Sequence, residues 1–157
     1  MFRHEHAILD RAQNYAEMNS TCSKVHVGSL IVTAELEEFL GCNHGIERCC
    51  SLEGCYRVEK YGENSKLHRL PSDCVAIHSE VDAICKAARK GVSLKDAIIF
   101  VTRYPCESCA RAIIMSGIGK VYYGRKEPIS EMTEKMFVES GTQVVHVKDW
   151  DWEDNNS

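Results

Sequence analysis

Two short segments carry residues that can do chemistry together, His78-Ser79-Glu80 and Pro105-Cys106-Glu107-Ser108-Cys109. One imidazole and two thiolates, from His78, Cys106 and Cys109, can converge on a tetrahedral Zn²⁺ and leave a fourth position for water, which separates catalytic zinc sites from closed structural ones. Glu80, two residues past the histidine, is placed to take a proton from that water without ligating the ion. Each segment stands at the start of an expected helix, where unpaired backbone N–H groups and the helix dipole favour thiolates. The plainer alternative is a closed zinc that staples two helices together; a glutamate at the required offset favours catalysis.

The elements that must position these residues follow from apolar spacing. Ile8, Ala12, Tyr15 and Ala16 fall on one face of a helix over residues 4–19. Val25 to Thr33 is a β-rich run interrupted by Gly28, and Glu35 to Cys42 is its candidate hairpin partner, weakened by Glu37 and Glu38. Residues 46–74 show no clean period, are rich in cysteine, and are too long for a plain connection, so something must anchor them. Beyond them Val81, Ile84, Cys85 and Ala88 make a helix face ending at Gly91, which puts Cys85 in the core. Ala97 to Thr102 reads as a strand, and Pro105 opens a helix with Ala110, Ile113 and Ile114 inward. A strand at Lys120 to Tyr123, a helix at Glu131 to Ser140 and a strand at Thr142 to Val147 complete the series.

Strands alternating with single helices imply parallel neighbours joined by right-handed crossovers. The order predicts an α/β fold, a three-layer α/β/α domain with a five-stranded mixed sheet. The starts of the two chemistry-bearing helices then share one sheet edge. Residues 1–157 read as a single domain with a mobile acidic tail at 149–157, whose Trp150 and Trp152 would pack on a neighbouring chain.

Composition narrows the functional classes. With 157 residues, 44% of them hydrophobic and 27% charged, the chain has the length and make-up of one folded domain. No apolar run approaches the ~18–20 residues of a membrane span, and the polar start from Met1 to Asp10 is unlike a signal peptide, so a soluble, cytoplasmic protein is expected. A net charge of −4 disfavours a polymeric nucleic-acid partner. Nine cysteines, an odd number, read in a reducing compartment as metal ligands or free thiols before disulfides.

The H-x-E…P-C-x-x-C pattern is a known signature of zinc nucleobase deaminases. From about Ser20 to Val147 the chain resembles the cytidine and deoxycytidylate deaminase superfamily, and within it the dCMP deaminase branch with its competence-operon relatives. The resemblance is strongest over Cys74-Val-Ala-Ile-His-Ser-Glu-Val-Asp-Ala-Ile84 and Val101-Thr-Arg-Tyr-Pro-Cys-Glu-Ser-Cys-Ala-Arg-Ala-Ile-Ile-Met-Ser-Gly-Ile118. It implies a cytidine-deaminase-like fold and hydrolysis of a free pyrimidine nucleotide, dCMP with water giving dUMP and ammonia. In that chemistry zinc acidifies a water that attacks the ring carbon bearing the amine, and Glu80 carries the protons.

Ser20-Thr-Cys-Ser-Lys-Val-His-Val-Gly28 is similar to the branch's first strand with its leading cysteine. Gly41-Cys-Asn-His-Gly45 is similar to its Gly-Tyr-Asn-Gly turn, by which Asn43 would hold the deoxyribose. The chain departs from the family with Ser79 and Asp82 where Ala and Asn are usual. It also lacks the Pro and Gly that follow the turn, in a loop tied in the family to regulation by dCTP and dTTP.

The branch often carries a second, structural zinc, for which Cys22, Cys49, Cys50, Cys55 and Cys74 are the candidates, with the choice between Cys49 and Cys50 open; His68 is expected to be a solvent-exposed loop histidine, with substitution for one thiolate the alternative. A closed site would anchor the 46–74 loop; the alternative is ordinary buried thiols. Lys24, Arg103 and Arg125 are candidates for the 5′-phosphate. Tyr122 and Tyr123 point to opposite faces of their strand, so one belongs to the core and the other resembles a phosphate-proximal tyrosine, with Tyr123 the candidate for that role. His26, alternating with Val25 and Val27, faces solvent or the mouth of the site, with solvent preferred, and His4, His6, His44 and His146 are expected on the surface. Family members are usually homo-oligomers, commonly hexamers. Two rival readings stand beside this one, a tRNA adenosine deaminase, which the acidic balance disfavours, and a silent zinc module for assembly, which Glu80 disfavours.

Overall fold

The structure is a computed structural model and describes residues 3–46, 50–51, 54–62, 74–126 and 129–152. In chain order the elements are α1 (Arg3–Asn19), β1 (Gly28–Val32), β2 (Glu38–Cys42), β3 (Cys50–Ser51), β4 (Gly54–Cys55), α2 (Tyr56–Tyr61), α3 (Ser79–Lys90), β5 (Ile98–Arg103), α4 (Glu107–Ser116), β6 (Lys120–Arg125), α5 (Glu131–Ser140) and β7 (Gln143–His146). Five strands form one sheet in the order β2-β1-β5-β6-β7, and β3 and β4 form a separate two-stranded pair. β1 runs antiparallel to both β2 and β5, while β5, β6 and β7 are mutually parallel through α4 and α5, so the sheet is mixed as its element order implies. No helix among the described residues is long and apolar enough to cross a membrane.

Alternation along the strands separates two cores. On one face Ile31, Ile99, Val101 and Val121 pack with Ala83 and Ala87 of α3, Ala110 and Ile113 of α4 and Phe137 of α5. On the other face Phe100 meets Leu9 of α1, Val147 and Trp150. The central strand β5 is covered on both sides, which explains its continuous apolar run.

Two glycines let helices reach the sheet. A Cβ at Gly28 would lie 1.9 Å from the Ala12 carbonyl oxygen of α1, and one at Gly41 would lie 2.2 Å from the Ser79 carbonyl oxygen at the start of α3.

Several expectations are corrected. α1 buries Leu9, Ala12, Gln13 and Ala16, so its inward stripe is turned from the expected one, and Ile8 and Tyr15 flank it. β1 begins at Gly28, not Val25, because the Asn43 side chain, rather than a strand, satisfies the backbone of Val25 and Val27. β2 starts at Glu38 because a turn precedes it, with Leu36 at φ 66°. Cys85 is exposed; α3 instead buries Ser79, Glu80, Asp82, Ala83 and Ala87, since its polar first turn faces the sheet. Trp150 packs on its own chain, 7% exposed, with its indole N–H donating to Asp10 Oδ1 at 3.0 Å, so residues 149–152 are docked against α1 and β6. Residues 153–157 lie outside the described ones.

Candidate active site

His78 and Cys106 occupy equivalent places in two successive helices. Each is the N-cap of its helix, α3 or α4, in extended backbone conformation, and neither side chain caps its own helix. Their carbonyls open the helical ladders, His78 O accepting from Asp82 N at 3.0 Å and Cys106 O from Ala110 N at 2.9 Å. The imidazole and thiol are thereby released toward each other. A backbone bridge fixes the approach to His78: His44 N donates to Ile77 O at 3.1 Å and Ile77 N to His44 O at 2.7 Å. Beneath it, Asp82 accepts from Cys42 N at 3.1 Å, meets His44 Nε2 at 3.2 Å and pairs with Lys86 Nζ at 3.0 Å, tying α3 to β2.

The His78 Nδ1 atom lies 3.5 Å from Cys106 Sγ and 3.4 Å from Cys109 Sγ. The donor atoms of these three residues all fall within 4.8 Å of one another, the only such group among the described residues. Packed together, they compete for protons. Hydrogen bonding to Cys109, with help from His78, pulls the Cys106 thiol down to about 4, and the same Cys106 contact pushes the Cys109 thiol up, with burial adding to the rise. Hydrogen bonds to Cys106 and Cys74 lift the His78 imidazole to about 10. Thiolate, thiol and imidazole in one cluster, with a helix N-terminus behind each N-cap, form a soft, borderline donor set that fits zinc.

Glu80 lies in the first turn of α3 and is 4% exposed; burial raises its carboxyl above the usual carboxylate range, against the pull of its own backbone N–H and of His78. One of its oxygens, Oε2, accepts from Ser79 Oγ at 3.1 Å.

The other residues singled out in the sequence divide. Asn43 is buried; its Oδ1 accepts from Val27 N at 2.9 Å and lies 2.8 Å from Ser20 Oγ, and its Nδ2 donates to Val25 O at 2.8 Å. Lys24 is exposed in the segment that Asn43 holds, and Arg103 ends β5, three residues before Cys106 and in register with Arg125. Tyr123 is packed, not presented: it stacks edge-on to Tyr104 and face-on to His146, both at 4.9 Å, and lines a cavity of about 270 Å³ under α5 with Glu134 and Phe137. Tyr122 stacks on Phe100.

Cys22 is half-buried, and the backbone N–H groups of Lys24 and Val25 point at its sulfur at 3.4 and 3.5 Å. Cys55 is half-buried at the end of β4. Cys74 joins the first cluster, its thiol pulled down to about 7 by a hydrogen bond from His78. Cys49, His68 and the Cys50 side chain lie outside the described residues.

Sequence reasoning missed the Cys74 contact, for which its place four residues ahead of His78 was a usable signal. It also missed the Asp82 bracket and placed at the surface three histidines that make internal contacts, one of them His146, stacked on Tyr123 and bonded to Gly124 O. His26 instead bridges Glu17 Oε2 at 2.7 Å and Cys22 O at 3.0 Å, and His44 reaches Asp82.

Comparison with known proteins agrees with this geometry. The profile of the MafB19-like deaminase family matches residues 3–151. ComE operon protein 2 of Bacillus subtilis is 30% identical over 133 residues, covering 83% of this chain and 65% of that protein. The deoxycytidylate deaminase of Enterobacteria phage T2 is 36% identical over 106 residues, covering 67% of this chain and 56% of that protein. The chain thus spans less than two thirds of the length of either relative. The dCMP deaminase of cyanophage S-TIM5, solved in apo form and with dCMP and dUMP, superposes with a TM-score of 0.68 over 90% of this chain and 95% of that one, at 20–21% identity, which establishes the cytidine-deaminase-like fold. Profile, relatives and fold, together with the paired N-caps and the buried glutamate, place this chain in the MafB19-like deaminase family.

Proposed function

We propose that the chain is a zinc-dependent hydrolytic deaminase of a free pyrimidine nucleotide, converting dCMP and water to dUMP and ammonia. The observation that carries this reading is the convergence of His78, Cys106 and Cys109 within 4.8 Å with Glu80 buried in the same helical turn. Relatives named deoxycytidylate deaminase in phage and yeast support the choice of substrate.

His78, Cys106 and Cys109 would hold the ion. A zinc ion in such a donor set supplies a water whose pKa falls to near neutrality. Glu80 passes protons from the attacking water first to the ring nitrogen and then to the amine, which leaves as ammonia. Its burial suits that work, because a carboxyl raised above the usual carboxylate range holds a proton more readily than a solvated one. Asn43 has one amide hydrogen beyond its bond to Val25 O, available to a sugar hydroxyl. Lys24 and Arg103 are the candidates for the 5′-phosphate, Arg103 standing three residues before Cys106 at the end of β5. Tyr123, packed between Tyr104 and His146, is better suited to bracing β6.

A second, closed zinc would use Cys22 and Cys55 with Cys49 or Cys50 and a fourth ligand, for which His68 is a candidate. Two backbone N–H groups, of Lys24 and Val25, point at the Cys22 sulfur and orient it. Cys74, engaged with His78, is read as a neighbour of the first site. The protein is proposed to be a homo-oligomer, with Met115, Met132 and Val138 exposed on α4 and α5 for such contacts; sedimentation velocity reads the assembly size directly.

The test is a competition assay in which zinc-loaded protein meets dCMP, CMP, deoxycytidine and adenosine together and the products are separated by chromatography. Selective formation of dUMP is the expected result. Absence of product from all four contradicts the free-nucleotide reading.

A further inference from the structure

Ser79 carries a hydroxyl where the helix needs none. It is the first residue of α3, fully buried, and alanine would serve the helix and the packing at least as well. Its Oγ donates to Glu80 Oε2 at 3.1 Å and lies 2.6 Å from Ser29 Oγ on β1, which is also fully buried. Each hydroxyl has one hydrogen. With the hydrogen of Ser79 on the carboxylate, the 2.6 Å contact is Ser29 donating to Ser79, so the chain of donors runs Ser29 to Ser79 to Glu80. Such chains polarise one another and strengthen the terminal bond, and water does not compete at zero exposure. A glutamate carboxyl is otherwise loosely fixed about its last torsion.

We propose that Ser79, backed by Ser29, is a positioning residue that anchors Oε2 of Glu80 and thereby leaves Oε1 for proton transfer. The inference rests on the deaminase reading above and adds to it a hydroxyl pair that reading does not use. The contact accompanies every turnover without being consumed. It acts on the step in which Glu80 moves protons and leaves nucleotide binding to other residues.

The experiment compares the zinc-loaded full chain with Ser79→Ala, Ser29→Ala and the double variant, using dCMP as substrate. Removing both hydroxyls leaves no buried donor without a partner, so the double variant keeps the comparison open if Ser79→Ala alone folds poorly. Expected are a fall in kcat of roughly tenfold for Ser79→Ala and for the double variant, a smaller fall for Ser29→Ala, and KM and zinc content within about twofold of the parent; tenfold matches the loss of one hydrogen bond to a charged group.

A second readout is independent of substrate. In protein labelled with ¹³C at the glutamate carboxyls, the resonance that disappears in Glu80→Gln should move in Ser79→Ala. A parental kcat in the double variant, or an unmoved Glu80 resonance, overturns the proposal. An unsubstituted enzyme that deaminates none of the nucleotides, with the resonance still moving, instead overturns the substrate reading and keeps the contact.

Discussion

At the residue scale, the site is a set of protons held in unusual places. Cys106 is drawn down by Cys109 and His78 and is ready to meet a cation as thiolate, whereas Cys42, on β2, is the opposite case. Burial, with the charge of Asp82 adding to it, pushes the Cys42 thiol up to about 11, against the opposing pull of Lys86. A folded-state value raised above the unfolded one, near 9, gives a contribution to stability that is complete below pH 9 and is lost as pH rises toward 11. Urea unfolding followed from pH 8 to 11 should therefore show the parent losing stability relative to Cys42→Ala, by on the order of 2 kcal/mol at the top of that range. Parallel curves would show that Cys42 ionises as freely folded as unfolded. For the first cluster, Cys106→Ser should abolish turnover and lower the zinc content by one ion per chain, measured by atomic emission on the dialysed protein, while far-UV circular dichroism stays close to that of the parent.

At the scale of elements, α3 is positioned by contacts that a reading of apolar periodicity passes over. Its inward face carries Ser79, Glu80 and Asp82, so the spacing of Val81, Ile84, Cys85 and Ala88 marks flanking positions, and Cys85 lies exposed. This is where local pattern is expected to fail, because a functional helix start spends buried positions on polar groups. Strands β5 and β6 and helix α5 were legible from their apolar runs and Gly-ended helices, and the paired H-x-E and C-x-x-C segments from residue type alone. The Asn43 clamp on Val25 and Val27 and the Ser29–Ser79 pair were not, since both depend on residues brought together across the sheet. The close approach at Gly41 fixes the height of α3 over β2. Gly41→Ala must move the Ser79 carbonyl or the helix behind it, at a cost of about 1–3 kcal/mol or more. Thermal unfolding should show the loss, and kcat should fall with it because His78 and Glu80 ride on the same turn.

At the scale of the whole molecule, the sheet separates two cores, and the His78, Cys106 and Cys109 cluster lies at the starts of α3 and α4, which pack on one of them. The opposite core is closed by the end of the chain, where Trp150 lies on Gly124 and bonds Asp10 of α1. Trp150→Ala should cost about 3–5 kcal/mol, as large-to-small changes at buried aromatics do, and leave zinc content unchanged, because no part of the first cluster rests on that face. Calorimetry with metal analysis on the same sample reads both. The overall charge of −4 disfavours a grip on an RNA backbone, and the apolar residues exposed on α4 and α5 are where the proposed self-association would act.

The measurement that tests the central claim most directly is turnover of dCMP by Glu80→Gln, paired with zinc stoichiometry on the same preparation. One zinc should be retained at His78, Cys106 and Cys109 with dUMP formation reduced by roughly 10²–10⁴-fold, the range for loss of a general acid–base group. A variant that holds its zinc and still forms dUMP at the parental rate would contradict the role assigned to Glu80.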